Sequence, residues 1–464
     1  MPPFNLLPKV ALPVALLMAA CSKNPVPPPA PAGPVTQKET NTWILDSMRY
    51  FYLWNNTLPA TADTQPAAIA YFNRLKYSGD RFSLIYDPND LATYPKYMLY
   101  NYGIDFSIVS WPGAPGGAIG VVKLVLEGSP AAQAGLRRGS YFTRINGTAV
   151  NSSNAAILSA ALLQGASGTF TLAAVNGNTV TENATITLAA QSLGENPVYR
   201  PGVRSINGRK VAYLFYNYFN DGYNQSVKGV FQDFKTAGAN ELILDLRYNP
   251  GGSVAAAALL AALVAPGINE QSGFAKYSGN GNLGQRIISF KSALSVPESG
   301  APIAFGTLEP ARLSLSRVFI LCSNQTASAA ELLINNLKPY TQVILIGQHT
   351  FGKDKGAVVI SDMRTPKRMS WVLMPISYNL ANAKGEGGYT QGIAPQYIVD
   401  EFSKQPLADV GDNADPLIAK AIDILNGNGR TTAPINTPAH SIYFDTRRQQ
   451  AAANVVSMPA ALFR

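Results

Sequence analysis

Ser328 and Lys353 are the two residues of this chain whose types and spacing could carry acyl-transfer chemistry. Ser328 stands in the run NQTASAAE (324–331), and Lys353 in HTFGKDKG (349–356), 25 residues later (353 − 328). The 464 residues contain only two histidines, His349 and His440. A serine hydroxyl needs a base to become a nucleophile, and a desolvated lysine amine is the alternative where imidazole is scarce. Ser328 is expected to follow a strand and a short loop and to open a helix. That placement exposes its hydroxyl and aims helix N-terminal N–H groups at the adjacent space, where Ala329 N–H could hold a developing oxyanion. The same Ser-Ala-Ala-Glu run is also a capping box, with Glu331 reaching back to Ser328. Gly251-Gly252, after a buried strand, lets backbone approach a ligand closely, and one of its N–H groups could complete an oxyanion hole. A plain strand-to-helix turn would use the same glycines. Lys353 becomes a base near neutral pH only if apolar groups wall it in. Otherwise it is a solvated cation, with Lys355 as its local competitor.

The elements that would position these residues are legible in outline. From about residue 195 strands and helices alternate: strands at 210–216, 242–246, 317–322, 342–347, 357–360 and 370–374, and helices at 226–237, 253–264, 328–337 and 414–425. This is a mixed α/β core. Ahead of it, short β runs at 118–125, 141–145, 169–175 and 184–188 alternate with glycine turns. Ser129-Pro130 starts a short helix, Gly135 ends it, and Asn146-Gly147 makes a tight turn. With the loop Tyr102-Gly103-Ile104-Asp105-Phe106, this set resembles a PDZ domain of the bacterial protease type. The resemblance implies that loop N–H groups meet a peptide's terminal carboxylate while the peptide adds as a strand. Asp105 puts a negative charge in that loop, and Ser140 stands where an Asp is usual. Further upstream, Trp43, Ile44, Ser47, Met48, Phe51 and Tyr52 mark one helical face, read as core packing, and a second helix is expected over 66–76.

The N-terminal segment reads as a leader and a spacer. Lys9 precedes an apolar run (10–20) about half as long as a bilayer-spanning helix needs. Small residues then precede Cys21, which resembles a bacterial lipoprotein signal with acylation at Cys21. Residues 24–35, NPVPPPAPAGPV, form a semi-rigid extended tether. Formal charge is +9, with the basic residues scattered. This argues against a nucleic-acid partner. No His/Cys/Asp cluster has metal-ligand spacing, and no cofactor is expected. Cys322 reads as a buried small hydrophobe, and Gly279–Gly284 as a hairpin loop despite its dinucleotide-like glycine spacing.

The runs LDLRYNPGG (244–252), NQTASAAELL (324–333), GQHTFGK (347–353) and QGIAP (391–395) occur in one order. With the lead segments NTWILDSMRYFYLWN and LKYSGDRFS, they resemble the C-terminal processing peptidase, or tail-specific protease, family, as a PDZ-containing bacterial lipoprotein member. The resemblance implies a multidomain α/β architecture with a crotonase/ClpP-like core and a Ser/Lys dyad that uses neither histidine nor metal. It makes Ser328 the nucleophile, Lys353 the base, and Ala329 with Gly251 or Gly252 the oxyanion donors. The expected organisation is signal peptide 1–20, tether 21–36, N-terminal helical domain 37–96, PDZ domain 97–190, peptidase core 195–428 and C-terminal tail 429–464. The implied partners are protein or peptide C-terminal tails, and the membrane through the lipid anchor. The expected place is the bacterial envelope, at the outer membrane facing the periplasm. Two departures stand out: Ala357 where a lysine-orienting glutamine is common, and Gln396 where Asp is common. Asp105 and Ala357 keep open a second reading, a non-catalytic lipoprotein holding peptides or apolar ligands.

Overall fold

The computed structural model describes residues 33–94, 101–428, 440–453 and 456–458. Cys21 and most of the proline-rich tether lie outside the described residues. No helix among those residues is long and apolar enough to cross a membrane.

The lead segment folds as helix Gln37–Phe51 against helix Ala68–Leu75. Thr36 caps the first helix, its side chain accepting Glu39 N–H. Ile44, Met48, Tyr52 and Phe72 are fully buried between them, so the aromatic stripe is core. The strand Leu84–Tyr86 that follows pairs with Val372–Met374, which ties the lead segment to the later part of the chain.

The second unit is an antiparallel sheet. Its spatial order is Ile442–Asp445, Ile104–Ser110, Ala118–Val125, Tyr141–Ile145, Ser167–Asn176 and Thr179–Ala189. The expected Ser129-Pro130 helix start is present, and Asn146-Gly147 turns with φ of 48° and 77°. Two features were not legible in the sequence. The first is helix Ala155–Gln164, whose apolar residues run round several faces and give no clear period. The second is that the edge strand comes from the far end of the chain.

The third unit holds a six-stranded sheet in the order Tyr397–Ile398, Gln342–Gly347, Arg317–Cys322, Glu241–Asp245, Arg209–Tyr216 and Val198–Ile206. All its pairings are parallel except that of Val198–Ile206 with Arg209–Tyr216. Strands covered on both faces carry near-continuous apolar runs, and Glu241–Asp245 is buried throughout. Helices Asn224–Thr236, Val254–Val264 and Ala329–Leu337 pack on one face, and Pro416–Leu425 on the other. A second sheet orders Gln285–Ser289, Gly273–Ser278, Ile376–Ala381, Lys355–Val358 and Val456–Met458. Gly279 and Gly284 close a hairpin within it, Gly279 N–H donating to Gly284 O, as expected for that loop.

The tail is the main correction to the sequence reading. Residues 429–464 show weak patterning and read only as a C-terminal tail, with no element assigned. Instead Ile442–Asp445 joins the second unit's sheet, Thr446–Ala453 is helical, and Val456–Met458 pairs with Lys355–Val358. Their backbone partners are more than 90 residues away in sequence, so no local period announces them.

Candidate active site

Four loops converge beside the parallel sheet. Arg247, fully buried after strand Glu241–Asp245, is held by Asp245, Asp415 and Glu401 at 2.7, 2.6 and 3.3 Å. A buried guanidinium needs such partners, and here they fix the start of the 247–252 loop. Thr326 Oγ1 donates to Leu246 O (2.8 Å) and Ala327 N–H to Asn249 O (3.0 Å), so the serine loop lies on the glycine loop. Phe351 N–H donates to Thr326 O, which brings in the lysine loop. Ile393 N–H donates to Thr350 Oγ1 (2.6 Å), which docks the 391–395 run behind it.

Ser328 sits at the start of helix Ala329–Leu337 with φ 60° and ψ −116°. That region is sparsely populated for a residue with a Cβ, and such strain persists only where the surroundings over-determine it. Sharp strand-to-helix turns of this kind present a nucleophile. The expected capping-box arrangement is present, but the Ser328 side chain makes no hydrogen bond in it. Glu331 Oε2 accepts Ser328 N–H at 2.9 Å, whereas Ser328 Oγ, fully buried, has no hydrogen-bond partner among the described residues. A hydroxyl used as a cap would be bonded, so the orphaned oxygen favours a role in chemistry over the capping role.

Lys353 is fully buried. Its Nζ lies 4.6 Å from the Phe82 ring centroid and donates to Ala451 O at 3.3 Å. Burial pushes the amine down to about 7; Glu331 pulls it back up and Arg81 pushes it down further. Lys355 is no competitor, because its amine is paired with Asp354 at 2.6 Å. His349 is exposed, and His440 stacks on Trp111, so neither histidine enters this arrangement.

Glu331 organises the site, a role that sequence reasoning missed. Its two oxygens accept Ser328 N–H, Lys353 N–H (2.8 Å), Gly352 N–H (2.7 Å) and Thr350 Oγ1–H (2.5 Å). One carboxylate thereby fixes the backbone of both candidate dyad members. Burial raises its pKa, and the four donors oppose that shift. The signal was present in the sequence, since the capping box had already aimed Glu331 at Ser328. Phe82 and Arg81 come from the GDRFS run of the lead segment. Arg81 donates to Gly352 O at 3.0 Å. Ala357, where an orienting glutamine was absent, packs in one cluster with Phe82. What aims Lys353 is therefore its backbone, pinned by Glu331, and the Phe82 wall.

The two glycines differ. Gly251, at φ 105°, is so close to the serine that an added Cβ would lie 2.6 Å from Ser328 Cβ and 2.9 Å from Ala329 N. Its N–H, however, already donates to Asn249 Oδ1. Gly252, at φ 130°, is bridged to Phe219, and an added Cβ there would lie 2.1 Å from Phe219 O; Ala329 N–H stands at the helix start. Gly251→Ala is expected to lower turnover about 100-fold by displacing Ser328 from these donors. It should also cost about 1–3 kcal/mol of stability through backbone strain. Single-turnover kinetics and a denaturant melt check both effects.

The PDZ-like loop is built differently from expectation. Tyr102 is buried and its hydroxyl donates to Leu162 O and Gly165 O. Gly103 N–H donates to Asn101 Oδ1, and Phe106 N–H to Thr446 Oγ1. Ile104 opens the strand that receives Ile442–Asp445 as its neighbour. Asp105 pairs with Arg447 at 2.6 Å, so its charge has a basic partner rather than a terminal carboxylate.

Comparison with known proteins agrees with this layout. Residues 39–84 match the peptidase S41 N-terminal domain, 121–173 a PDZ domain, and 210–399 peptidase family S41. A solved structure described as a putative S41 protease from Bacteroides fragilis is 29% identical, with a TM-score of 0.67, and covers 86% of this chain and 99% of its own. A carboxyl-terminal-processing protease of Picosynechococcus sp. is 27% identical over 50% of this chain and 50% of its own length. The chloroplastic carboxyl-terminal-processing peptidase 1 of Arabidopsis thaliana is 26% identical over 61% of this chain and 53% of its own. The chain thus spans about half the length of these curated relatives. It combines, in order, segments similar to an S41 N-terminal domain, a PDZ domain and an S41 peptidase core.

Proposed function

We propose that this chain is a serine endopeptidase working through a Ser328/Lys353 dyad. The observation that carries the reading is that a strained, unbonded Ser328 and a buried lysine whose amine pKa is lowered to about 7 both have their backbone tied to Glu331. Neutral Lys353 takes the proton from Ser328 Oγ as that oxygen attacks the scissile carbonyl. Ala329 N–H and Gly252 N–H stabilise the resulting oxyanion. The ammonium then protonates the leaving amine, and an acyl-enzyme remains on Ser328. Water, deprotonated by Lys353, releases the acid and restores the hydroxyl. Substrates are proteins or peptides cleaved near their C-termini, presented by the PDZ domain. Cys21 acylation would hold the enzyme at the bacterial envelope, the outer membrane facing the periplasm being the proposed site.

A fluorophosphonate probe tests the assignment. Peptide mapping should find one adduct, on Ser328, formed faster as pH rises through about 7. No adduct at Ser328, with the fold intact, would return the chain to the non-catalytic binding reading.

A further inference from the structure

The strand that neighbours Ile104–Ser110 is the chain's own segment Ile442–Asp445, antiparallel, with Ser107 opposite Asp445 and Ile108 opposite Phe444. Two side chains of this segment and its continuation enter built pockets. Asp445, 5% exposed, accepts from Lys123 Nζ (2.6 Å), Ser107 Oγ (2.5 Å) and Gln325 Nε2 (2.8 Å) through one oxygen. Arg447, 3% exposed, donates to Asp105 Oδ2 (2.6 Å) and to both oxygens of Glu195 (3.1 and 3.2 Å). Between them Thr446 Oγ1 bonds Asp105 Oδ1, and Phe106 N–H donates to it.

These pockets make physical sense only with an occupant. Without Asp445, Lys123 would be a buried cation left with Gln325 Oε1 and the Tyr248 ring. Without Arg447, two carboxylates would face one cleft with no counter-charge. Each is costly to bury unpaired. The occupied groove also reaches the dyad. Gln325 lies three residues before Ser328 on the serine loop. Six residues beyond Asp445, Ala451 O takes the Lys353 amine. Ser328 and Lys353 are both fully buried with the segment in place.

We propose, resting on the peptidase reading above, that the groove recognises an internal aromatic-Asp-Thr-Arg segment rather than a free C-terminal carboxylate. The chain's own residues 443–447 are its resident pseudosubstrate. Substrates displace this segment by offering the same carboxylate and guanidinium two residues apart, which frees the Lys353 amine for Ser328.

The test uses the full chain bearing Arg447→Glu, with synthetic peptides of residues 440–453 in the native form and with Arg447→Glu. In the variant, amide exchange at residues 106–109 should quicken at least about ten-fold as the edge strand is released. Turnover of an unstructured substrate should rise several-fold. The native peptide should bind the variant and restore repression, and the Glu-bearing peptide should bind at least about ten-fold more weakly. Unchanged exchange, or equal binding of the two peptides, overturns the proposal. The exchange and binding arms need no turnover. Their failure is therefore distinct from a failure of the peptidase reading, which the phosphonate adduct decides separately.

Discussion

Lys353→Met is expected to lower turnover by about 10⁴-fold or more and, at the same time, to make the fold more stable. The loss follows from the proposed dyad, in which Lys353 is the base for the Ser328 proton, since members of such units fail together. The gain follows from linkage. The folded amine titrates near 7, against 10.5 ordinarily. Below pH 7 both the folded and unfolded chains hold the proton, and the cost of burying the cation is fully present, about 5 kcal/mol at 1.36 kcal/mol per pH unit. Between pH 7 and 10.5 the unfolded chain binds the proton and the folded chain does not, so stability rises with pH. Methionine of similar volume carries no such cost but forfeits the Ala451 hydrogen bond and the contact of the cation with Phe82. A net gain of about 2–4 kcal/mol at pH 6.5, shrinking towards pH 10, is expected in denaturant melts. Damage to the site would lower activity and stability together. The same titration sets the native profile: kcat/KM should rise with pH through about 7, because only the neutral amine accepts a proton.

How much of this could be read from the sequence depends on how local each signal was. The serine and lysine runs, the double glycine and the parallel strands carry local signatures, and they lie where their spacing implied. Each candidate alone was ambiguous, since Ser328 could equally have been a cap and Lys353 a surface cation. Burial bears on Lys353 and the unbonded Oγ on Ser328, and both are tertiary properties that no single residue states. Glu331 shows the intermediate case. Its reach to Ser328 was legible at three residues' separation, but its bonds to Thr350, Gly352 and Lys353 cross a helix and a strand. The tail shows the opposite extreme. Asp445 and Arg447 find Lys123, Asp105 and Glu195 at separations above 250 residues, and their own neighbourhood has weak apolar patterning. Asp105 looked like a flaw in a carboxylate-binding loop only because its guanidinium partner lay 342 residues away.

Glu331→Gln is expected to lower turnover by about 100-fold or more and to move the acidic limb of the pH–rate profile to lower pH. If Oε2 becomes the amide nitrogen, Ser328 N–H and Lys353 N–H are left in donor–donor contacts; if Oε1 does, Gly352 N–H is, while the Thr350 hydroxyl can turn and accept. Leaving buried donors unmet costs about 1–3 kcal/mol each, and the strained turn at Ser328 loses the group that holds it. Stability should fall by about 2–5 kcal/mol on that account. A purely structural role would stop there, with a lower rate at every pH and a limb that stays in place. Glu331 also holds the Lys353 amine up electrostatically, against the burial that pushes it down. Removing that charge leaves burial and Arg81 unopposed, so the amine loses its proton at a lower pH than in the native enzyme. The residual activity of Glu331→Gln should therefore reach its plateau at lower pH than native activity does. A limb that stays put, or moves to higher pH, would make Glu331 a brace for the backbone with no hand in setting the base.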